Sequence, residues 1–403
     1  MVKRIIYDIG IVGSGISGAF AAYRALEYGL KNKIIMFDIG RPPKKRRRQL
    51  EGWLGCMPGG DGKINLDDVS DVAESVDGRK LRHVKKWVLD ILKDNGPIAN
   101  IKTKALTPTT KNKIINAGWE IKQHNYFQWR PEYIHKLSKY IADEIEDKID
   151  VSFDNEVTQI LKKGKEFLVV TDYGDYYCRN ILLCAGRTGW RWATELYKSF
   201  GILEYNDIAS YGICAELTSS YLKEYNKNYL SLFKNDLEVG PLYWNGTIIP
   251  EDHADLAISA FRSNEDRWKT DKVSFNIIGK KIFENHGVQE TDRLAKLAYL
   301  LFNDRIGKEK IREIIRGTSP LSQLKEYNWL VEAIEEVDQI IPGLILHGSY
   351  HAPTIHPLTG EINITKNFET DINGLYVAGE SAGYKGILAA AITGVLAIDG
   401  VIR

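Results

Sequence analysis

Val12-Gly13-Ser14-Gly15-Ile16-Ser17-Gly18 stands between a β-rich run, Ile5 to Val12, and a run of good helix formers, Ala19 to Tyr28, that stops at Gly29. In that setting each glycine has a job. The first makes the tight turn, the second lets the backbone approach a pyrophosphate, and the third lets helix pack on strand. N–H groups at the helix start then face the anion. Ile34 to Phe37 adds a short buried strand before Asp38, twenty positions after Gly18. A carboxylate there accepts hydrogen bonds from ribose hydroxyls and repels a 2′-phosphate. The first forty residues therefore read as a βαβ unit that binds a dinucleotide. Its expected contacts are Gly13, Gly15, Ile16, Ser17 and Gly18 at the turn, and Asp38, Ile39, Gly40 and Arg41 after the second strand.

That turn does not separate NAD from FAD, whereas the far end of the chain does. Asn373-Gly374-Leu375-Tyr376-Val377-Ala378-Gly379-Glu380-Ser381-Ala382-Gly383-Tyr384 precedes a helix of small residues, Ile387 to Ile402. A strand ending in Gly379-Glu380 places a carboxylate where a ribityl chain can be held. The helix start at Gly386 and Ile387 can face the flavin N1/C2=O edge, which becomes negative on reduction. FAD is the cofactor this pairing implies.

Between these ends, Gly40 to Asp68 lacks periodicity and is crowded with Gly, Pro and basic residues, the pattern of a long functional or mobile loop. Pro131 opens a helical segment to about Glu146. The β runs Val151 to Phe153, Glu156 to Leu161 and Phe167 to Thr171 follow, and Asn180 to Cys184 is a buried strand that ends in Ala185-Gly186-Arg187. Tyr205 to Gln339 mixes strands and helices without a second dinucleotide fingerprint. A chain of 403 residues exceeds what one core usually organises. The fold class expected is α/β: a Rossmann-like FAD/NAD(P)-binding fold of three layers, parallel sheet plus β-meander, with a second α+β substrate or cap domain. The expected division gives residues 1–70, 131–204 and 340–403 to a discontinuous FAD-binding domain, and 71–130 and 205–339 to the cap.

Composition narrows the partners. Lys plus Arg number 54 against 53 Asp plus Glu, so nothing draws the chain as a whole to nucleic acid or an anionic membrane. Cys56, Cys178, Cys184 and Cys214 form no CxxC pair and no metal-like cluster, which fits a reducing, cytoplasmic compartment without a disulfide framework. Ile5 to Val12 runs straight into the glycine turn and so reads as a strand, with no targeting peptide. Gly386 to Ile402, the most apolar stretch, is short for a membrane span and carries Asp399; it reads as a buried helix.

These residues resemble the glutathione-reductase-type FAD-dependent oxidoreductases and, within them, the FAD-utilising dehydrogenase family, over nearly the whole chain. The resemblance rests on the N-terminal glycine turn, on Gly55-Cys56-Met57-Pro58-Gly59-Gly60-Asp61-Gly62-Lys63-Ile64-Asn65, on Ile181-Leu182-Leu183-Cys184-Ala185-Gly186-Arg187-Thr188-Gly189, and on Gly374 to Gly386. It implies that Ala185, Gly186 and Arg187 pass the dinucleotide and that Val157 lies beside the adenine. It further implies that Gly379 and Glu380 meet the ribityl and pyrophosphate region, and that Gly60, Gly62 and Lys63 run along the flavin ring. One departure concerns the loop before Gly60, where members carry further cysteines. This chain has Arg41-Pro42-Pro43-Lys44-Lys45-Arg46-Arg47-Arg48 followed by Cys56 alone, so no metal or iron–sulfur role is expected.

The expected catalytic candidates are Lys63, Lys385 and Tyr384. Lys63 comes first, because an ammonium near the ring would stabilise the reduced flavin, or a desolvated amine would act as base. Cys56, without a second cysteine nearby in sequence, reads as a small packed residue rather than a redox thiol. His347 and His351 are spaced as in a helical zinc site, but Gly348, Pro353 and Pro357 argue against a helix, leaving His351 to line a substrate face. Arg262 and Arg267, with Asn264 between them, could hold an acidic group. The activity expected is hydride transfer between a small-molecule substrate and flavin N5, with reductant from the substrate, an electron carrier or a transiently docked pyridine nucleotide. Two alternatives stand beside it: a flavoprotein acting on nucleic acid through Lys44 to Arg48, or a dinucleotide-binding module without catalysis.

Overall fold

The computed structural model describes residues 5–31, 33–46, 50–67, 69–101, 105–253, 255–356 and 360–402. The chain forms two compact units. The first comprises Met1–Ala99, Phe127–Tyr205 and Thr359–Arg403, and the second Asn100–Tyr126 and Asn206–Leu358.

The first unit is built on a seven-stranded sheet. Its centre is β1 (Ile6–Val12), paired in parallel with β2 (Ile34–Asp38). β2 is buried at every residue, as a parallel strand covered on both faces must be. Beyond it lies β3 (Asp150–Phe153), also parallel. A meander of β4 (Val157–Lys163), β5 (Glu166–Thr171) and β6 (Gly174–Leu183) turns back antiparallel. The strand order is β3-β2-β1-β6-β5-β4. The second half of β6 runs parallel to β1 on one side and to β7 (Leu375–Val377) on the other, with Tyr376 opposite Leu182. The expected Rossmann-like sheet with its meander is therefore present.

Helix α1 (Ile16–Glu27) follows β1 and buries Ala19, Ala21, Ala22 and Ala25. The last helix of the unit, Ile387–Val401, packs against it. A Cβ on Gly394 would lie 2.1 Å from the Ser17 carbonyl oxygen, so the two backbones cross in direct contact. Asp399 near that helix end receives Arg24 Nε at 3.1 Å and the Tyr28 hydroxyl at 2.8 Å, which accounts for a carboxylate in an otherwise apolar helix. Among the described residues no helix is long and apolar enough to cross a membrane.

The expected domain boundaries need two corrections. Residues 71–99, 127–130 and 205 belong to the first unit, not to the cap. Gly78–Asn95 is capped by Asp77 and buries Leu81, Val84, Val88, Ile91 and Leu92, an apolar stripe that rests on the helices Ile387–Val401 and Pro131–Ile145. Residues 340–358 belong to the second unit. There Ser349–Ile355 is a fully buried strand between Ile208–Thr218 and Gly307–Lys310, antiparallel to both.

The second unit is α+β: a mainly antiparallel sheet of eight strands with helices on one face. Ile208–Thr218 pairs along its whole length with Lys272–Ile282. Tyr211 to Leu217 are buried on both faces, and on one of them Tyr211 meets the rings of Tyr327 at 5.1 Å and Trp329 at 6.0 Å.

Candidate functional site

The three glycines of the N-terminal turn are held by different forces. Gly13 has φ +104°, and a Cβ there would fall 2.2 Å from the Cys184 carbonyl oxygen, where the end of β6 crosses the turn. A Cβ on Gly18 would fall 1.9 Å from the Gly13 oxygen. Gly15 is unlike both: the nearest atom to its missing Cβ is Gly55 Cα at 4.0 Å, and its φ of −61° suits any residue. Folding needs glycine at 13 and 18, whereas at 15 the missing side chain leaves room in front of the backbone. Helix α1 starts at Ile16 with no side-chain cap and no acidic residue in its first turn, so its partial positive charge is unopposed there.

Asp38 ties β2 to this turn. Its Oδ2 accepts from the Ser14 N–H at 2.6 Å and the Ser14 hydroxyl at 2.7 Å, and its Oδ1 accepts from the Gly40 N–H at 2.6 Å. A carboxylate has about four acceptor positions, and among the described residues these contacts use three of them. Ile39 is exposed, while the Gly40 carbonyl accepts from the Asp154 N–H at 2.8 Å and the Asp38 carbonyl from the Asn155 N–H at 3.1 Å. Arg41 lies 3.9 Å from Asp154 on the surface. Val157 is buried at the start of β4, on the strand at the opposite end of the sheet order from β3 and β2.

The strand ends at Ala185–Arg187 and Gly379–Glu380 interlock. The Gly186 N–H donates to the Ser381 hydroxyl at 3.2 Å, the Tyr197 hydroxyl to the Ser381 carbonyl at 2.6 Å, and the Gly379 N–H to Thr393 Oγ1 at 3.0 Å. Arg187 Nη2 meets Glu380 Oε1 at 3.2 Å. The helix Ile387–Val401 follows Gly386 and, like α1, carries no side-chain cap and no acid in its first turn. Two uncapped helix starts thus belong to one assembly, joined through Ser17 and Gly394. Ser381, Thr393 and Tyr197 escape a reading of the sequence, because each acts through a contact far along the chain.

The loop from Arg46 to Asn65 lies across the turn. The Leu54 N–H donates to the Ser14 carbonyl at 2.9 Å. The Arg46 guanidinium donates to the carbonyls of Trp53 and Gly55, and burial pushes its pKa down. Of the basic run, Lys44 and Lys45 are exposed, and Arg47 and Arg48 lie outside the described residues. Farther on, Gly62 is left-handed, with its missing Cβ aimed at the Trp129 carbonyl, and its own carbonyl accepts from the Trp129 N–H at 2.8 Å. Lys63 pairs with Asp61, their side chains only 12% and 11% exposed. Burial lowers the Lys63 pKa, and Asp61 opposes that.

The other candidates are placed differently. Tyr384 is buried against Phe368 and its hydroxyl donates to Ser75 Oγ at 2.8 Å, while Lys385 is exposed. Cys56 is exposed rather than packed, because Met57 takes the interior position at that bend. In the second unit His347 stacks on Tyr221, His351 lies 4.0 Å from Glu216, and His356 lies 3.1 Å from Glu238. Among the described residues no three potential ligands gather for a metal ion. Arg267 pairs with Glu265 at 3.0 Å and Arg262 lies over Trp268, so both arginines face a neighbouring turn.

No family model and no curated protein matches the chain. Solved structures similar to it include a glycine oxidase from Geobacillus kaustophilus, 13% identical over 99% of this chain and 95% of that one, with a TM-score of 0.47. A flavoprotein/dehydrogenase from Cytophaga hutchinsonii is 13% identical over 98% and 79%, with a TM-score of 0.43. CtdE in complex with FAD is 14% identical over 99% and 88%, with a TM-score of 0.41.

Proposed function

We propose that the chain is an FAD-dependent oxidoreductase that passes a hydride between a small organic substrate and flavin N5. The observation that carries this reading is the pair of uncapped helix starts at Ile16 and Ile387, fixed to one another where Gly394 meets Ser17. A mononucleotide needs one such terminus. A dinucleotide with a flavin at its far end uses both, one at the pyrophosphate and one at the N1/C2=O edge.

The residues fit the group. Room in front of Gly15 suits a pyrophosphate, and the fourth acceptor position of Asp38 suits a ribose hydroxyl. Glu380, steadied by Arg187, is placed to hold hydroxyls of the linking chain. Bound FAD supplies the electron-accepting ring. Lys63 is our candidate for a proton or a fixed charge beside it. Lys385, being exposed, and Tyr384, engaged with Ser75, take lesser parts. The four free cysteines fit a reducing, cytoplasmic setting. The nucleic-acid alternative loses Arg46 as a contact, since that side chain holds the loop carbonyls.

The test is the visible spectrum of the purified, FAD-reconstituted protein, recorded anaerobically as NADH, NADPH, and then amine, hydroxy-acid and nucleoside pools are added. A flavin band bleached by one of the pools is the expected result. Failure to bind FAD would end this reading, and a bound flavin that nothing bleaches would favour the non-catalytic module.

A further inference from the structure

Asp61 and Lys63 form an ion pair at a depth where burial alone would favour two apolar residues. Both side chains are nearly nine-tenths buried, and removing two charges from water costs more than their attraction usually returns. The backbone that carries them is also unusually fixed. Gly62 between them is clamped on both sides by the Trp129 backbone, the Gln128 amide donates to the Asp61 carbonyl at 3.0 Å, and Trp129 is itself fully buried, its indole N–H donating to Pro97. The strand Lys63–Asn65 packs on the helix Ile387–Val401, and the loop leading to it passes Gly15 at Gly55. A rigid, buried ion pair therefore sits on a segment that passes the glycine turn at Gly15 and packs on the helix Ile387–Val401.

Resting on the FAD reading above, we propose that Asp61 is a positioning residue whose task is to keep the Lys63 side chain a fixed cation facing the flavin, so that the loop sets the reduction potential of the ring. An amine this far from water gives up its proton unless a carboxylate holds it. With Asp61 present the charge is retained, and it favours the electron-rich, reduced ring.

The experiment measures the midpoint potential of the bound flavin, and its affinity for sulfite, in the FAD-loaded protein at neutral pH; neither needs a substrate. Lys63→Met should favour the oxidised flavin by about tenfold, about 30 mV for a two-electron couple, and weaken sulfite binding. Asp61→Asn should shift both readings the same way, because the lysine is then neutral. Asp61→Asn combined with Lys63→Arg should reverse the shift and carry the potential to or above that of the unsubstituted protein, since a guanidinium does not lose its proton. An Asp61→Asn potential that stays put or rises would overturn the proposal, because removing a carboxylate from a lysine that stays charged has the opposite sign. FAD lost from either single variant would also overturn it, the pair then building the loop rather than setting its charge. Failure of the unsubstituted protein to bind FAD would instead sink the parent reading.

Discussion

Gly15 separates two meanings of a glycine that the spacing alone merges. Its φ is compatible with alanine and the space beside it is open, so Gly15→Ala should raise the thermal stability of the cofactor-free protein by about 0.4–1 kcal/mol. On the FAD reading the same methyl group would stand in front of the backbone where the pyrophosphate would lie, and FAD affinity should fall about tenfold or more, roughly 1.4 kcal/mol. Gly18→Ala has no such compensation. Its Cβ meets the Gly13 carbonyl, and a loss of roughly 1–3 kcal/mol is expected whether FAD is present or not. Thermal unfolding with and without FAD distinguishes the two variants; equal behaviour would mean that position 15 has no ligand in front of it. The glycine turn and Asp38 stand out in the sequence through their fixed spacing between strand, helix and strand, although Gly13 is held by Cys184 far along the chain. Ser381 does not stand out, since its partners at Gly186 and Tyr197 are far along the chain.

At the level of elements, the crossing of α1 and Ile387–Val401 is the joint on which the site depends. Gly394→Val would push the helices apart at Ser17, and the cost is expected at about 1–3 kcal/mol of stability. The expected signature is a protein that still unfolds cooperatively by circular dichroism but sheds FAD on gel filtration; retained FAD would show that the crossing does not align the two helix starts. Periodicity predicted which faces of such helices are buried without saying against what. Gly78–Asn95 illustrates the limit. Its apolar stripe is plain in the sequence, yet a stripe fits a cap as well as it fits the helix Ile387–Val401, and the boundary set at residue 71 was wrong for that reason. Ser349–Ile355 was misassigned because its chain neighbour Leu375–Val377 joins a different sheet.

For the molecule as a whole, the stability at low pH should be governed by the second unit. Burial alone would raise the Glu238 pKa, but His356 at 3.1 Å and Lys280 at 3.4 Å outweigh it and hold the carboxyl at about 2. Burial would raise Glu216 as well, but His351, Lys272 at 2.6 Å and Lys308 at 3.2 Å pull it lower still. Both carboxyls are depressed relative to the ordinary value of 4.5, so their contribution is fully present above that pH. It drains away as pH falls through 4.5 toward about 2. Urea unfolding of Glu238→Gln at pH 7 and pH 3 should therefore show a smaller pH dependence than the unsubstituted protein. An unchanged slope would place the acid-sensitive groups elsewhere.

The pairing of Leu375–Val377 with Ile181–Leu183 sets a timetable for biogenesis. On a ribosome adding roughly 5–20 residues per second, the C-terminal half of β6 waits on the order of 10–40 s for its neighbour to be synthesised. During that interval residues 206–358, which make the larger part of the second unit, have already emerged and can collapse on their own sheet. The face of α1 destined for Gly394 stays open to solvent until that residue has emerged. On the FAD reading, cofactor capture then waits for residues 375 onward, and nascent chains stalled before residue 375 would be clients for chaperones rather than for FAD.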